Sequence, residues 1–457
     1  MTEKKQLWQI WDNLAFARSF HSFRMALSPA RMVIALIMVL MISAIGWFMD
    51  LVAAPGRTDE PWAKQVRDED AIAPPGLGIT GSDSPTGRSY NAGAGAAFRT
   101  AEGRRRLAAS PAQAFEEIEG YRQQQRFGGV FSALWHFGAD RFNTGTISLF
   151  RLEITDVLSN LWLCALALVW AFRFHPVYSS VYFVFLAMVT CVCGGGICRT
   201  AALEFARGEK PGMVEGLGFG LKKFRSLISA PLILAGITAA FAVVVVIAGF
   251  IGNIPYAGEI FIAVTLGFSL IFGLLTLLFL IGSVAGAGLI FPTVAYEGSD
   301  GHDAISRSFC YVYRRPWWLF VYAVIAAAFG TICYLFVRVF VYGVLITTYL
   351  LLEVGIATGP DGDKLARIWG RPDFFVLLGP NTGPTGLSEQ IAAMIVYATM
   401  LFMVGLVVAF VVSFFFCAST IIYALMRRKV DEIEMDSVYT ALEHVGVSES
   451  GLDRNGI

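Results

Sequence analysis

Long apolar stretches with few or no charged residues alternate with short polar connectors along this chain, and the stretches predict helices that cross a membrane. Because a helix rises 1.5 Å per residue, about 20 apolar residues cross a hydrocarbon core about 30 Å thick. The stretches that predict spans lie at residues 32–52, 157–172, 177–198, 232–251, 260–291, 317–352 and 391–426. The one at 157–172 has only about 16 residues, which is short for a span. We therefore predict an all-α, polytopic helical membrane bundle of about six to seven spans with interfacial amphipathic helices.

Two segments before residue 151 differ from these stretches. Residues 1–31 place Trp and Phe among Lys and Arg, which favours an amphipathic helix lying in the headgroup layer. Residues 53–150 begin with Gly- and Pro-rich sequence, so we expect an extramembrane, linker-like segment with short helices. One of these helices is predicted to begin at Ser110-Pro111 and another to lie near 129–142.

Composition agrees with a membrane protein and argues against two other classes. The chain is 56% hydrophobic and 15% charged, whereas soluble domains carry about 25% charged residues. Its 35 Lys and Arg balance its 35 Asp and Glu, so nothing indicates nucleic-acid binding. The seven cysteines are odd in number and lie in or beside apolar stretches. This pattern favours small packing residues over a disulfide framework.

The distribution of basic residues predicts the side of the membrane for the second half of the chain. Lys and Arg stay on the cytoplasmic side of short loops. They are frequent in the connectors 199–225 and 295–316 and at the start of the tail 427–457, and absent from the turn 252–258. The tail is therefore predicted to be cytoplasmic. Basic residues before the first span favour a cytoplasmic N-terminus, but seven complete spans would place the two termini on opposite sides. The side of residues 1–31 and 53–150 thus stays open.

Two connectors within the predicted transmembrane domain, residues 151–426, share an order of features. That order is an acidic residue, a glycine, a phenylalanine and a basic pair that leads into a span. The residues are Glu204, Gly208, Phe219 and Lys222-Lys223 in the first connector, and Glu297, Gly298, Phe309 and Arg314-Arg315 in the second. A duplication of residues 175–253 and 259–352 would explain this order, and chance resemblance is the alternative.

The second connector predicts a short amphipathic helix. Asp300 is a suitable N-cap for a helix beginning near residue 301. Asp303 and Arg307 are four residues apart, so they can pair on one helix face. Apolar side chains recur on the opposite face at Ile305, Phe309, Val312 and Tyr313.

Basic and aromatic residues at the starts of two spans are candidates for contact with a lipid headgroup or an acidic partner. The candidates are Arg314, Arg315, Trp317, Trp318, Lys222 and Lys223. Guanidinium and ammonium groups bind phosphate and carboxylate oxygens, and Trp is enriched at the membrane interface. The simpler interpretation is a positive-inside anchor with an aromatic belt.

Arg338 is a candidate intramembrane polar site because it is the charged residue inside a long apolar stretch. Ionisable residues within spans usually have a function. However, Arg338 lies 21 residues after Trp317, which is roughly 32 Å along a helix and near the far interface. A side chain that snorkels to the headgroups would explain the position as well as contact with a solute or partner.

Motifs for catalysis and cofactors are missing from the sequence. We find no phosphate-binding glycine-rich Lys motif, no His-Glu-x-x-His and no Gly-x-Ser-x-Gly. Cys191, Cys193 and Cys198 have no nearby fourth ligand, and close packing through the glycines 194–196 is the better interpretation. We therefore predict no catalytic, cofactor-binding or metal-binding residue.

The second connector also carries a family resemblance. The residues are Phe291-Pro292, Glu297-Gly-Ser-Asp300, Ala304-Ile-Ser-Arg-Ser-Phe309 and Arg314-Arg-Pro-Trp317. They resemble a signature of uncharacterised bacterial polytopic inner-membrane proteins. They are weakly similar to the membrane domain attached to some glycerophosphodiester phosphodiesterases. The resemblance covers about residues 175–345 and implies a loop joining two spans in a bacterial inner membrane. It transfers no catalytic residue, because the phosphodiesterase domain has no counterpart in this chain.

Three functions remain open from the sequence. The first is a non-enzymatic scaffold or partner-docking subunit of a membrane assembly, with the lipid bilayer and a protein partner or a second copy as its contacts. The second is a transporter or permeation protein for a small solute or lipid, which requires polar residues along a pathway. The mid-span polar residues are few, chiefly Thr265, Ser269, Thr276 and Ser283. The third is a lipid-modifying enzyme, which would use the polar residues Glu297, Asp300, His302 and Asp303.

Overall fold

A computed structural model describes most of the chain and shows a helical protein. The described residues are 21–53, 103, 110–124, 129–357, 364–374, 377, 386–433 and 437–439. Their regular elements are all α-helices, which confirms the predicted fold class. Residues 1–20, most of 54–109 and residues 440–457 lie outside this part, and with them most of the predicted N-terminal helix and linker.

Thirteen helices make up the described part. In chain order they are α1 (His21–Ala26), α2 (Pro29–Val52), α3 (Pro111–Gln124), α4 (Val130–Phe150), α5 (Ile154–Phe174), α6 (Pro176–Arg207), α7 (Met213–Lys222), α8 (Phe224–Gly252), α9 (Ala257–Glu297), α10 (Gly301–Arg314), α11 (Pro316–Ala357), α12 (Lys364–Ile368) and α13 (Leu387–Val430). Helices α3 and α4 confirm the two helices predicted before residue 151.

Among the described residues, seven helices are long and apolar enough to cross a membrane. They are α2, α5, α6, α8, α9, α11 and α13. The short apolar stretch at 157–172 is extended at both ends, so that α5 reaches 21 residues. The chain is thus a multi-pass integral membrane protein with the upper number of the predicted spans, judged by helix length and composition.

The helices group into two compact units. One unit contains Met1–Val39 and Ala187–Ile457, and the other contains Leu40–Leu186. The second unit includes α5, so the domain boundary drawn from the sequence between residues 150 and 151 falls inside it.

The Leu40–Leu186 unit is built on α3, α4 and α5. Large apolar side chains from all three helices form its core, with Ile118, Phe137 and Trp170 fully buried. At its edge, the carboxylate of Asp50 lies at the start of α4. This carboxylate accepts the backbone N–H of Phe131 at 3.0 Å and of Ser132 at 2.9 Å. The helix dipole and the unpaired N–H groups of a first turn both favour an anion there.

Two hydroxyl groups hold Asp50 in this position, and that of Ser132 donates to its carboxylate at 2.7 Å. The Tyr178 hydroxyl donates to its carboxylate at 2.6 Å. A Cβ on Gly129 would collide with the Asp50 side chain, so the glycine permits the close approach. Asp50, which is 2% exposed, therefore joins the end of α2 to the start of α4.

The unit containing residues 187–457 packs its helices through glycine. In α6, a Cβ on Gly194 would come within 2.5 Å of the Phe416 ring, and one on Gly196 within 2.9 Å of the Gly216 carbonyl oxygen. Helices approach most closely where no side chain separates their backbones. This confirms close packing through the glycines 194–196, beside the buried thiols of Cys191, Cys193 and Cys198.

Replacing Asp50 with Ala should destabilise the Leu40–Leu186 unit by about 1.5–3 kcal/mol, because the buried donors at the start of α4 lose a charged acceptor. Thermal unfolding in detergent micelles, followed by circular dichroism, measures the change. Glu153→Ala is the matched control, because Glu153 precedes α5 without a side-chain capping bond. Equal destabilisation by the two substitutions would contradict the capping role.

Glu117 in α3 should make the stability of the same unit depend on pH. Burial raises the pKa of its carboxyl group from 4.5 to about 7, although the Arg141 charge opposes the rise. The folded state then holds a proton that the unfolded chain releases, so stability is complete below pH 4.5 and falls as the pH rises towards about 7. Glu117→Gln should flatten this fall in the unfolding temperature, and Glu153→Gln should leave it unchanged. A wild-type unfolding temperature that does not decrease over this pH interval would refute the assignment.

Candidate functional site

The two connectors predicted to share an order of features do share an order of structural elements. Helix α6 ends at Arg207, Gly208 follows with φ of 71°, and α7 then leads into α8. Helix α9 ends at Glu297, Gly298 follows with φ of 62°, and α10 then leads into α11. Both glycines adopt the left-handed conformation that ends a helix at low cost only for glycine. The duplication itself stays a prediction.

The acidic residue of each connector pairs with an arginine far away in sequence. Arg31 at the start of α2 binds Glu204, with 2.5 Å between Nη2 and Oε2, and its Nε donates to the Met25 carbonyl at 2.6 Å. Arg427 near the end of α13 pairs with Glu297, with 2.7 Å between Nε and Oε1. A buried charge is expensive unless it is paired, and both arginine side chains are at most 7% exposed.

Further polar groups surround Glu297. The Tyr423 hydroxyl donates to its carboxylate at 3.3 Å, and Arg307 of α10 lies 3.7 Å away. Arg307 also pairs with Asp303 at 3.1 Å, which confirms the pairing predicted at this spacing. The Glu297 cluster, formed by Glu297, Arg307, Tyr423 and Arg427, thus joins the ends of α9 and α13 to α10.

Tyr311 extends this network to the residue that follows α13. Its hydroxyl donates to the Asp431 carboxylate, and its ring lies 5.7 Å from that of Tyr423. Burial and the bond to Asp431 raise the pKa of this phenol above its usual value. Tyr311 therefore stays protonated and acts as a hydrogen-bond donor.

The predicted amphipathic helix α10 packs against neighbouring helices. It begins at Gly301, directly after Asp300, as predicted, although the Asp300 side chain makes no capping bond. A Cβ on Gly301 would approach the Ser226 carbonyl oxygen within 2.9 Å, and one on Gly282 would approach the Phe309 ring within 2.6 Å. The apolar face of α10 therefore contacts α8 and α9, and its basic end leads into α11.

A basic–aromatic surface lies where α10 meets α11 and where α13 ends. We define it by the residues Arg314, Arg315, Trp317, Trp318, Arg428 and Lys429. The residues from Arg314 to Trp318 in this set were predicted from the sequence as candidates for contact with a headgroup or an acidic partner. The structure places them beside the end of α13. Trp317 is 78% exposed, and the Lys429 ammonium lies 2.9 Å from the centroid of the Trp318 ring. Within the described part of the chain, Arg314, Arg315 and Arg428 are exposed and pair with no acidic side chain.

The other candidate basic pair has a different environment. Lys223 is half-buried and its Nζ donates to the Gly298 carbonyl at 2.5 Å. Lys222 is exposed at the end of α7. Lys223 thus stabilises the turn after α9 rather than presenting its charge to a ligand.

Arg338 has protein partners. It is 6% exposed, and its Nε and Nη2 donate to the Phe374 carbonyl at 3.0 and 2.8 Å. Its Nη1 donates to the Tyr334 hydroxyl, and the guanidinium lies 5.3 Å from the centroid of the Phe374 ring. The Arg338 guanidinium therefore need not extend to the aqueous interface, because the Phe374 carbonyl, in the segment after α12, accepts its hydrogen bonds.

The roles of Arg31, Arg427 and Tyr423 were not predicted from the sequence. Arg31 and Arg427 were counted only as basic residues flanking apolar stretches. A usable signal was the spacing of Tyr423 and Arg427, which are four residues apart and therefore on one helix face. Nothing in the sequence indicated which acidic residue this face would meet.

Comparison with known proteins does not assign this chain to a family. The chain matches no protein-family model, no curated protein and no solved structure. The resemblance to bacterial inner-membrane proteins stays a prediction.

Replacing Arg427 with Ala should leave the Glu297 carboxylate without its nearest cation and destabilise the protein by about 3–5 kcal/mol. Arg428→Ala is the matched control, because Arg428 is the exposed neighbour on the same helix, and it should change stability by less than about 0.5 kcal/mol. Thermal unfolding in detergent micelles measures both. The double variant Glu297→Gln, Arg427→Met should recover part of the loss, and equal effects of the two single arginine variants would contradict a specific ion pair.

Proposed function

We propose that this chain is a non-enzymatic integral membrane protein that acts as a scaffold or partner-docking subunit in a membrane assembly. The observation that carries the proposal is the basic–aromatic surface, which concentrates exposed cations that no acidic side chain of the described residues neutralises. The partner's contact segment is acidic on this proposal. We further propose a bacterial inner membrane, with this surface and the C-terminus on the cytoplasmic side, as the basic connectors favour.

The composition of the surface supports a protein contact. Arg and Trp are the residues most enriched among energetically dominant interface positions. Arg315 and Lys429 are close enough to repel each other, so an acidic partner would relieve unfavourable electrostatic energy.

The environment of the acidic groups supports a non-enzymatic role. The carboxylate of Glu297 is occupied by arginine and tyrosine, and that of Asp303 by Arg307. Asp300 accepts a bond from the Ser226 hydroxyl at 3.4 Å. Groups engaged in this way are not poised as a general acid and base for lipid hydrolysis.

The mid-span hydroxyl groups give little support to the transporter alternative. Thr265, Thr276 and Ser283 each donate to the carbonyl four residues earlier in α9, at 2.7, 2.8 and 2.6 Å. A hydroxyl that is bonded to its own helix offers a solute only its lone pairs. The Arg338 guanidinium is likewise engaged with Phe374 and Tyr334.

Reversing the charge of the surface should release the partner. The variant Arg314→Glu, Arg315→Glu, purified from native membranes in mild detergent after cross-linking, should lose a stoichiometric companion that the wild type retains. The matched control is Lys222→Glu, Arg225→Glu, which reverses two exposed charges at the corresponding position of the first connector. Unfolding temperatures should agree among the three proteins.

Two results would overturn the proposal. One is a wild-type protein that leaves native membranes as a monomer without a companion. The other is retention of the companion by Arg314→Glu, Arg315→Glu together with loss of bound anionic lipid in native mass spectrometry, which would make the surface a lipid anchor.

A further inference from the structure

A short segment after α13 belongs to no helix and binds residues of α6, α9 and α13. We call residues 437–439 (Ser-Val-Tyr) the strap. Three arginine side chains donate to the carbonyl oxygens of its three consecutive residues. Arg427 binds that of Ser437 at 2.6 Å, Arg207 binds that of Val438 at 3.0 Å, and Arg199 binds that of Tyr439 at 2.8 Å.

The strap also makes contacts through the Tyr439 N–H group and through the side chains of Val438 and Tyr439. The Tyr439 N–H donates to the Tyr296 carbonyl at 2.8 Å, and the Val438 side chain is 3% exposed. The ring of Tyr439 covers Gly298, where a Cβ would come within 2.5 Å of the ring. Arg199 is held in place because its Nη1 donates to the Ala295 carbonyl at 2.8 Å.

This arrangement is a mode of peptide recognition. Backbone hydrogen bonds supply affinity for an extended chain, and pockets for individual side chains supply specificity. Here residues of α6, α9 and α13 form the backbone hydrogen bonds with the strap. The side chains that would set specificity are the small apolar one of Val438 and the aromatic ring of Tyr439. We define the strap groove by Arg199, Arg207, Tyr296, Gly298 and Arg427.

We propose that the strap groove is a binding site for an extended peptide with a small apolar residue followed by an aromatic residue, and that the chain's own strap occupies it in exchange with such peptides. The site is separate from the basic–aromatic surface and does not depend on the docking function proposed above.

The way the strap is held makes exchange feasible. Arg207 is exposed and Arg199 is half-buried, so their bonds to the strap compete with water. Within the described residues, the strap belongs to no helix and buries one small side chain. Segments with few buried apolar contacts and accessible backbone bonds open at low free energy.

Variants of the full chain separate release of the strap from loss of the groove. Val438→Asp should expel the strap and leave the groove intact. Gly298→Ala should expel the strap and also block the groove, because the added methyl group takes the place of the Tyr439 ring. Gly208→Ala is the matched control for backbone strain, since Gly208 has the same left-handed conformation and open space around it.

Release is measured by hydrogen exchange at the Tyr439 amide and by chymotrypsin cleavage after Tyr439. Val438→Asp and Gly298→Ala should increase both rates by about tenfold or more over the wild type, as expected for the loss of one or two bonds of this kind. Gly208→Ala should not. Arg207→Ala, which removes a single exposed donor, should show a smaller increase in the same direction and keeps the experiment informative if another variant fails to fold.

Binding is measured with a fluorescent synthetic peptide of residues 434–442 (Glu-Met-Asp-Ser-Val-Tyr-Thr-Ala-Leu). It should bind Val438→Asp at least about tenfold more tightly than wild type, because the groove is then free of its competitor. It should not bind Gly298→Ala, and the same peptide with Asp in place of Val438 should bind none of the proteins. Equal binding to wild type and Val438→Asp, or an unchanged Tyr439 exchange rate in Val438→Asp, would overturn the proposal.

Discussion

The ion pair between Glu297 and Arg427 is the contact on which the arrangement of the second half of the chain depends. Four groups meet there: the end of α9, the last turn of α13, Arg307 of α10, and the strap, which shares Arg427 with Glu297. In an otherwise apolar bundle, side-chain packing alone fixes the register of two long helices poorly, because many apolar surfaces fit one another. A buried ion pair fixes it better, since a shifted register would separate the Arg427 guanidinium from the Glu297 carboxylate. The Glu204–Arg31 pair has the same relation to α2 and α6.

Glycine makes these pairs geometrically attainable. Gly194 and Gly196 bring α6 against α13 and α7 at distances that a Cβ would prevent. Gly298 reverses the chain after Glu297, so that α10 can run back along α9 and present Arg307 to the same carboxylate. The Lys223 ammonium then binds the carbonyl of that reversal. Charge and small side chains thus act together, the first selecting the partner and the second allowing it to approach.

The sequence predicted the elements far better than their contacts. Uninterrupted apolar stretches require helices in a lipid environment, so class, spans and the start of α10 followed from spacing alone. The pairing of Asp303 with Arg307 was predictable because it is local. The partners of Glu297, Glu204 and Asp50 were not, because each comes from another helix, and a basic residue beside a span has the same appearance whether it faces headgroups or a buried acid. Arg338 shows this limit too, since its acceptor is a backbone carbonyl.

The position of the two buried pairs along the chain has a consequence for biogenesis. Arg31 leaves the ribosome well before Glu204, so this acid meets a waiting counter-charge as soon as α6 is complete. Glu297 is made about 130 residues before its own arginine, which lies in α13. During that interval Arg307 is the cation already made, and it lies 3.7 Å from the Glu297 carboxylate in the folded chain. The closer pair with Arg427 cannot yet form. The pair that joins α9 to α13 therefore forms only after α13 has been synthesised.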